Sequence, residues 1–249
     1  MVEFLTLADR QIAVERRAGR SPGLFWLGGF KSDMTGSKAV AVDGFGESHG
    51  LAVTRFDYSG HGRSGGDFNA GNITRWLEES LAVFDLTVGP QILIGSSMGG
   101  WLALLLTREL RRRGQGARLL GLVLIAPATD MTELMLEQMP KKYRKLLDSQ
   151  GYVEEPSEYS PEPYRINKSL IDDGRQHLLF GRAIEIGCPV TILQGARDRD
   201  VPKEHALRLV QHLVNDAVTF TLIPDGDHRL SRPGDIELLQ RTIEGMLGT

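Results

Sequence analysis

Apolar residues along this chain fall into two alternating rhythms. Short, nearly continuous apolar runs at 24–27, 52–56, 91–94, 119–125, 190–193 and 218–223 are bounded by turn-forming residues, which marks them as strands. Longer segments with helical spacing lie between them. The clearest is 73–86, where Trp76, Leu77, Leu81 and Phe84 share one stripe, and 37–48 and 99–113 follow the same rule. Residues 2–14 alternate in polarity and turn at Ala8-Asp9-Arg10, a hairpin pattern. Repetition of strand and helix predicts an α/β fold, a mostly parallel sheet with helices on both faces. The pattern breaks at 129–186, where charged helices surround the run EEPSEYSPEPY. That interruption is too long for a plain connection, so the chain reads as a single domain over 1–249 with a lid inserted at about 129–186.

Composition narrows the class of protein. The 249 residues are 41% hydrophobic and 24% charged, values at which a core forms without a metal or disulfide staple. A net charge of −3 provides no basic field for nucleic acid. The run Arg111-Arg112-Arg113 closes a helix, where cations complement the dipole and face water. No apolar stretch approaches the roughly 18 residues of a membrane span. The single cysteine, Cys188, precedes Pro189 and reads as a buried, inert thiol. No His/Cys cluster has metal-ligand spacing, so neither a metal nor a cofactor is expected. The first residues, MVEFLTLADRQ, lack the pattern of a secretory signal, and a cytoplasmic protein is expected.

Candidate chemistry begins with G-x-S-x-G, which occurs around Ser64 and around Ser97. The bare pattern is weak, and context decides between them. A nucleophile elbow needs a strand running straight into a tight turn and a helix, and QILIGSSMGGWLALLL meets that on both sides of Ser97. Ser64 has glycine-rich sequence on both flanks, which makes it a loop hydrogen-bond partner, and Ser96 points the wrong way for the motif. A serine needs a base and an orienting acid, in this type of fold in the order Ser, Asp or Glu, His. His228 follows the last strand, at the sheet's carboxyl edge, and is the candidate base. His205 and His212 read as solvated helix positions, His49 as a helix C-terminal partner, and His61 and His177 as residues able to touch substrate. The acid candidate is Asp198, the first carboxylate out of the 190–193 strand, with Asp200 as the alternative. An oxyanion hole would take backbone N–H groups from Met98, next to the serine, and from Phe30 in the loop WLGGFKSDM. Met131, Leu134, Met135 and Met139 are either an acyl-pocket wall or a helix stripe packed on the core.

The motifs LGGF, FDYSGHGRS, GSSMGG, GARDRDVP and DGDH, in that order, resemble the α/β-hydrolase fold family. More narrowly, GSKA, RFDYSGHGRS, GPQILIGSSMGGWL, PSEYS and DHR resemble the family of palmitoyl-protein thioesterases and acyl-glucuronide esterases with its bacterial relatives, over residues 22 to the C-terminus. That resemblance implies ester or thioester hydrolysis by Ser97, Asp198 and His228, acting on a small ester or thioester or an acylated protein. Many relatives carry a histidine where this chain has Gln194, and no mitochondrial transit peptide is recognised, which points to a bacterial cytoplasm. The rival readings are the same triad applied to C–C bond hydrolysis or perhydrolysis, and a non-catalytic binding module on this fold.

Overall fold

The computed structural model describes residues 1–155 and 164–248. The chain opens with the antiparallel strands β1 (Val2–Leu7) and β2 (Arg10–Arg17), followed by β3 (Arg20–Leu27), α1 (Ser37–Ser48) and β4 (Leu51–Phe56). Next come α2 (Ile73–Phe84), β5 (Gln91–Ser96), α3 (Met98–Arg112) and β6 (Leu119–Ile125). The segment that breaks the repeat holds α4 (Met131–Gln138), α5 (Lys141–Gln150), β7 (Tyr152–Glu155), β8 (Tyr164–Asn167) and α6 (Lys168–Gly174). The chain then returns through β9 (Val190–Gly195), α7 (Lys203–His212), β10 (Val218–Ile223) and α8 (Pro233–Leu247).

Among the described residues, eight strands form one sheet in the order β1-β2-β4-β3-β5-β6-β9-β10. It is parallel from β4 through β10, and β2 joins it antiparallel to both β1 and β4. Every residue of β5 is buried, as a central strand covered on both faces requires, whereas the edge strand β10 is half-exposed along its length. One apolar layer joins α2, α3 and α7 to one face, and a second joins α1 and α8 to the other. Helix boundaries follow local chemistry: Asn72 caps α2 by accepting the Arg75 N–H at 2.8 Å, and Pro233 occupies the first turn of α8. The expected α/β architecture is therefore the one observed. Because β3 connects through α1 to β4 on one side and β5 through α3 to β6 on the other, a crevice opens at their carboxyl ends, where open α/β sheets gather ligands.

The segment between β6 and β9 is more regular than its composition suggests. Part of the Pro- and Glu-rich run pairs as β7 with β8, setting Val153 opposite Ile166, both buried in a small core with Met139, Leu147 and Ile171. Four-residue strands carry too little periodicity to be read beside so many charges. The motif PSEYS lies outside the described residues. Asp130 fastens the two ends of this insertion, since its carboxylate accepts the N–H groups of Leu179 at 2.8 Å and Phe180 at 2.9 Å.

Candidate active site

Ser97 stands between β5 and α3 with φ 55° and ψ −118°, a conformation rare for a residue with a Cβ. Its backbone is locked there: its N–H donates to Ile125 O at 2.8 Å, and its carbonyl accepts from Gly100 N and Ala128 N. Strand and helix cross so closely that a Cβ on Gly95 would lie 2.3 Å from Gly99 O, and one on Gly99 only 2.0 Å from Leu27 O. Glycine is required at both positions to bring the helix start over the strand end. Met98 is the first residue of α3, where an N–H has no carbonyl in a preceding turn to reach.

Two loops from the other half of the chain meet Ser97. His228 Nε2 lies 3.1 Å from Ser97 Oγ, and His228 Nδ1 lies 2.8 Å from Asp198 Oδ2. The Asp198 side chain is 0% exposed and surrounded by donors. Its Oδ1 accepts the N–H groups of Asp200 and Val201, and its Oδ2 also accepts from Gln194 Nε2 at 3.2 Å. Asp200 donates its backbone N–H to Asp198 Oδ1 at 3.0 Å, and it is the Asp198 carboxylate that meets His228 Nδ1, which separates the two acid candidates geometrically. Asp225 pairs with Arg232, and Asp227 accepts the Leu230 N–H, so both shape the loop that carries His228. Lys38 braces the same loop by donating to Arg229 O and Ser231 Oγ, and burial pushes its pKa down to about 8. Single donor atoms of Asp198, Asp200 and His228 lie within 4.8 Å of one another, but an ion there would compete with the proton that joins His228 to Asp198.

The loop after β3 closes the other side. A Cβ on Gly29 would lie 3.4 Å from Ser97 Cβ, so this backbone runs against the elbow. Ser32 N donates to Gly29 O, Lys31 adopts φ 56°, and Met34 N donates to Asp57 Oδ1 at 2.7 Å. Asp57 Oδ2 accepts the Arg63 N–H, and Ser64 donates to Asp57 O and accepts from Ala13 N, so Ser64 is the loop partner its surroundings suggest. Phe30 packs its ring on Phe68 and Trp76, with centroids 4.9 and 6.1 Å away. Beneath this loop a buried ion pair joins Arg10 to Glu79 at 2.9 Å, and the second Glu79 oxygen accepts the Ser59 N–H.

The remaining histidines separate cleanly. His61 lines the cavity in front of Ser97, whereas His177 faces α2, with Nε2 2.6 Å from Thr74 Oγ1. His49 caps α1 with Nδ1 2.8 Å from Phe45 O. The solvated reading of His205 and His212 needs correction. His205 Nε2 donates to Thr129 O at 2.7 Å, His212 Nε2 accepts from Gly181 N, and both rings pack on Phe180. Their polar sequence neighbours concealed that the end of the insertion covers this helix. Cys188 is half-buried, and burial raises its pKa to about 12, which leaves a protonated thiol.

The cavity holds about 1320 Å³ and has two kinds of wall. Met131, Leu134, Met135 and Met139 line it and also belong to the apolar clusters, so this stripe both packs on the core and faces the cavity. Lys31, Asp33, Lys38 and Arg229 supply charged groups to the lining. The sequence singled out Gln194 only as a departure from many relatives, with no role at the site, and Asp57 and Glu79 not at all. The available signal was a polar side chain inside an apolar run, as at Gln194 in VTILQG, since such a group is buried only with partners.

Comparison with known proteins places the chain in a family. A family model described as serine aminopeptidase, S33 (Hydrolase_4) matches residues 43–158. The mitochondrial palmitoyl-protein thioesterase ABHD10 of Bos taurus is 36% identical over 99% of this chain and 80% of its own length. The chain belongs to the ABHD10 family of α/β-hydrolases. Within that family, mouse ABHD10 superposes with a TM-score of 0.90 at 35% identity, covering 100% of this chain and 98% of the mouse chain. A putative hydrolase from Agrobacterium vitis S4 superposes with a TM-score of 0.93 at 48% identity, over 99% of each chain. Relatives of ABHD10 are thus matched along nearly the whole length, with Ser97, Asp198 and His228 all inside the matched span.

Proposed function

We propose that the protein is a serine hydrolase that cleaves carboxylic esters or thioesters through an acyl-enzyme on Ser97. The observation that carries this reading is the hydrogen-bonded relay from Asp198 through His228 to Ser97, with spacings of 2.8 and 3.1 Å. Asp198 Oδ2 accepts the Nδ1 proton, which leaves Nε2 free to take the serine proton as Ser97 Oγ attacks the carbonyl carbon. The N–H groups of Met98 and Phe30 receive the developing oxyanion, and Asp198 offsets the positive charge on the imidazole. His228 then protonates the departing alcohol or thiol, and water repeats the sequence to release the acid. The segment from α4 to α6 acts as a lid whose methionines receive the acyl chain, while the polar wall faces the leaving group. An acyl thioester is the substrate class favoured by the names of the mammalian relatives, which are mitochondrial palmitoyl-protein thioesterases. Among the described residues no helix is long and apolar enough to cross a membrane. A cytoplasmic setting for this chain belongs to the same proposal.

The test is the initial rate of hydrolysis of p-nitrophenyl esters from acetate to palmitate, and of matched acyl thioesters, with Ser97→Ala beside each. Wild type should turn over, and Ser97→Ala should fall by at least about 10³-fold with an unchanged melting temperature. Equal activity in the two proteins sinks the mechanism. Activity on diketones or peroxide alone would transfer the triad to C–C hydrolysis or perhydrolysis.

A further inference from the structure

One side chain from the glycine-rich segment at 57–66, His61, bonds to the backbone of the oxyanion loop. Two peptides determine where the Phe30 N–H points. In the Gly29–Phe30 peptide the carbonyl accepts the Ser32 N–H at 3.1 Å, and because a trans peptide holds C=O and N–H antiparallel, that bond turns the Phe30 N–H the opposite way. In the next peptide the Lys31 N–H donates to His61 Nε2 at 3.2 Å. Lys31 is at φ 56°, in the left-handed region where a residue with a Cβ is strained, so the turn needs an external hold.

His61 is built to provide one. A backbone N–H can only donate, so Nε2 must be the unprotonated nitrogen, and Nδ1 carries the proton 3.2 Å from Ser59 O. The ring is 4% exposed and has the rings of Phe68, Trp76 and Tyr58 around it, with centroids 5.0, 5.3 and 5.6 Å away. Burial, with a smaller contribution from the Lys31 charge, pushes its pKa down to about 4, which keeps Nε2 an acceptor. Ser59 is fixed in turn by Glu79 Oε2 and by Trp76 Nε1.

We propose that His61 is a positioning residue of the oxyanion hole, whose neutral Nε2 holds the Lys31 peptide so that the Phe30 N–H faces the carbonyl attacked by Ser97. This rests on the hydrolase reading above. A hole displaced by about 1 Å loses on the order of a hundredfold in rate without losing ground-state binding.

The test compares wild type with His61→Phe, which keeps a flat ring but no acceptor, and His61→Gln, whose Oε1 can reach the same N–H. On p-nitrophenyl butyrate, His61→Phe should lower kcat by about 30- to 100-fold with KM changed less than about twofold. The inhibition constant of a trifluoromethyl ketone, whose adduct places an oxyanion in the hole, should weaken by the same factor. His61→Gln should recover most of both. If His61→Phe does not fold, His61→Asn, too short to reach Lys31 N, takes its place against His61→Gln. An active wild type with His61→Phe or His61→Asn within twofold in kcat, or with losses that leave trifluoromethyl ketone affinity untouched, overturns this inference alone. A wild type that neither hydrolyses esters nor reacts with a fluorophosphonate overturns the hydrolase reading and this inference with it.

Discussion

Ser97 carries backbone strain that its neighbours hold in place, and the strain can be measured by removing it. At φ 55° and ψ −118° a Cβ costs about 1–3 kcal/mol, which glycine does not incur. Ser97→Gly should therefore unfold at higher urea than Ser97→Ala, by about 1 kcal/mol, despite the looser unfolded chain that glycine brings. Equal midpoints would mean the elbow is relaxed. Gln194 supports the acid in a comparable way, because its Nε2 reaches both Asp198 Oδ2 and Val201 O. Gln194→Leu should lower kcat about tenfold by freeing the Asp198 carboxylate to turn and by leaving the Val201 carbonyl unpaired. Gln194→His, which restores a donor at this position, should lose much less, and a stopped comparison of acylation rates would separate the two. Ser97 and His228 were legible because strand, turn and helix chemistry surround them within a few residues. The His61 and Gln194 contacts were not, because the partners are 30 residues away or lie across a turn whose shape no local pattern announces.

Elements position these side chains through a few buried polar joints. Helix α2 meets the glycine-rich loop at 57–66 through Glu79, whose side chain is 0% exposed and faces Arg10 of β2. Removing the arginine would strand that carboxylate, whose pKa burial already raises despite the Arg10 and Ser59 hydrogen bonds. Arg10→Ala should cost about 3 kcal/mol in urea unfolding, several times more than Arg16→Ala, whose partner Glu3 is half-exposed. Similar losses for both would show that Glu79 finds another partner. The buried parallel strands were readable because they announce themselves as apolar runs, whereas β2 and β3 extend to Arg17 and back to Arg20, through polar residues that the pattern left out. The β7–β8 pair was not, because its apolar content reduces to Val153 and Ile166 amid charges.

At the scale of the whole molecule, three imidazoles with lowered pKa set the response to acid. Burial is the largest cause for His61, His177 and His205, and each is neutral in the fold at pH 7. In the unfolded chain they take up protons as pH falls below about 6.5, while the folded chain resists. Their contribution is therefore complete above that value and is lost toward about pH 4 for His61, by at most about 1.4 kcal/mol per pH unit for each group. The carboxyls of Asp57, Glu79 and Asp130, raised by burial, act in the opposite sense and soften the fall at its acid end. Urea unfolding should give a lower free energy at pH 5.5 than at pH 7.5, and His205→Gln should flatten that difference. A stability that rises on acidification would mean these rings are charged in the fold.

The Asp130 clasp has a consequence for how such a molecule can diversify. With Leu179 and Phe180 bound to a single carboxylate at its entrance, the insertion leaves the sheet where it entered it. What hangs between those two points behaves as an interchangeable cassette. Its length and lining can drift through evolution, or be exchanged by grafting, while Ser97, Asp198 and His228 keep their spacing. Substrate range is in this way uncoupled from the bond-breaking apparatus, and the clasp marks the two cut sites at which a chimera should be joined.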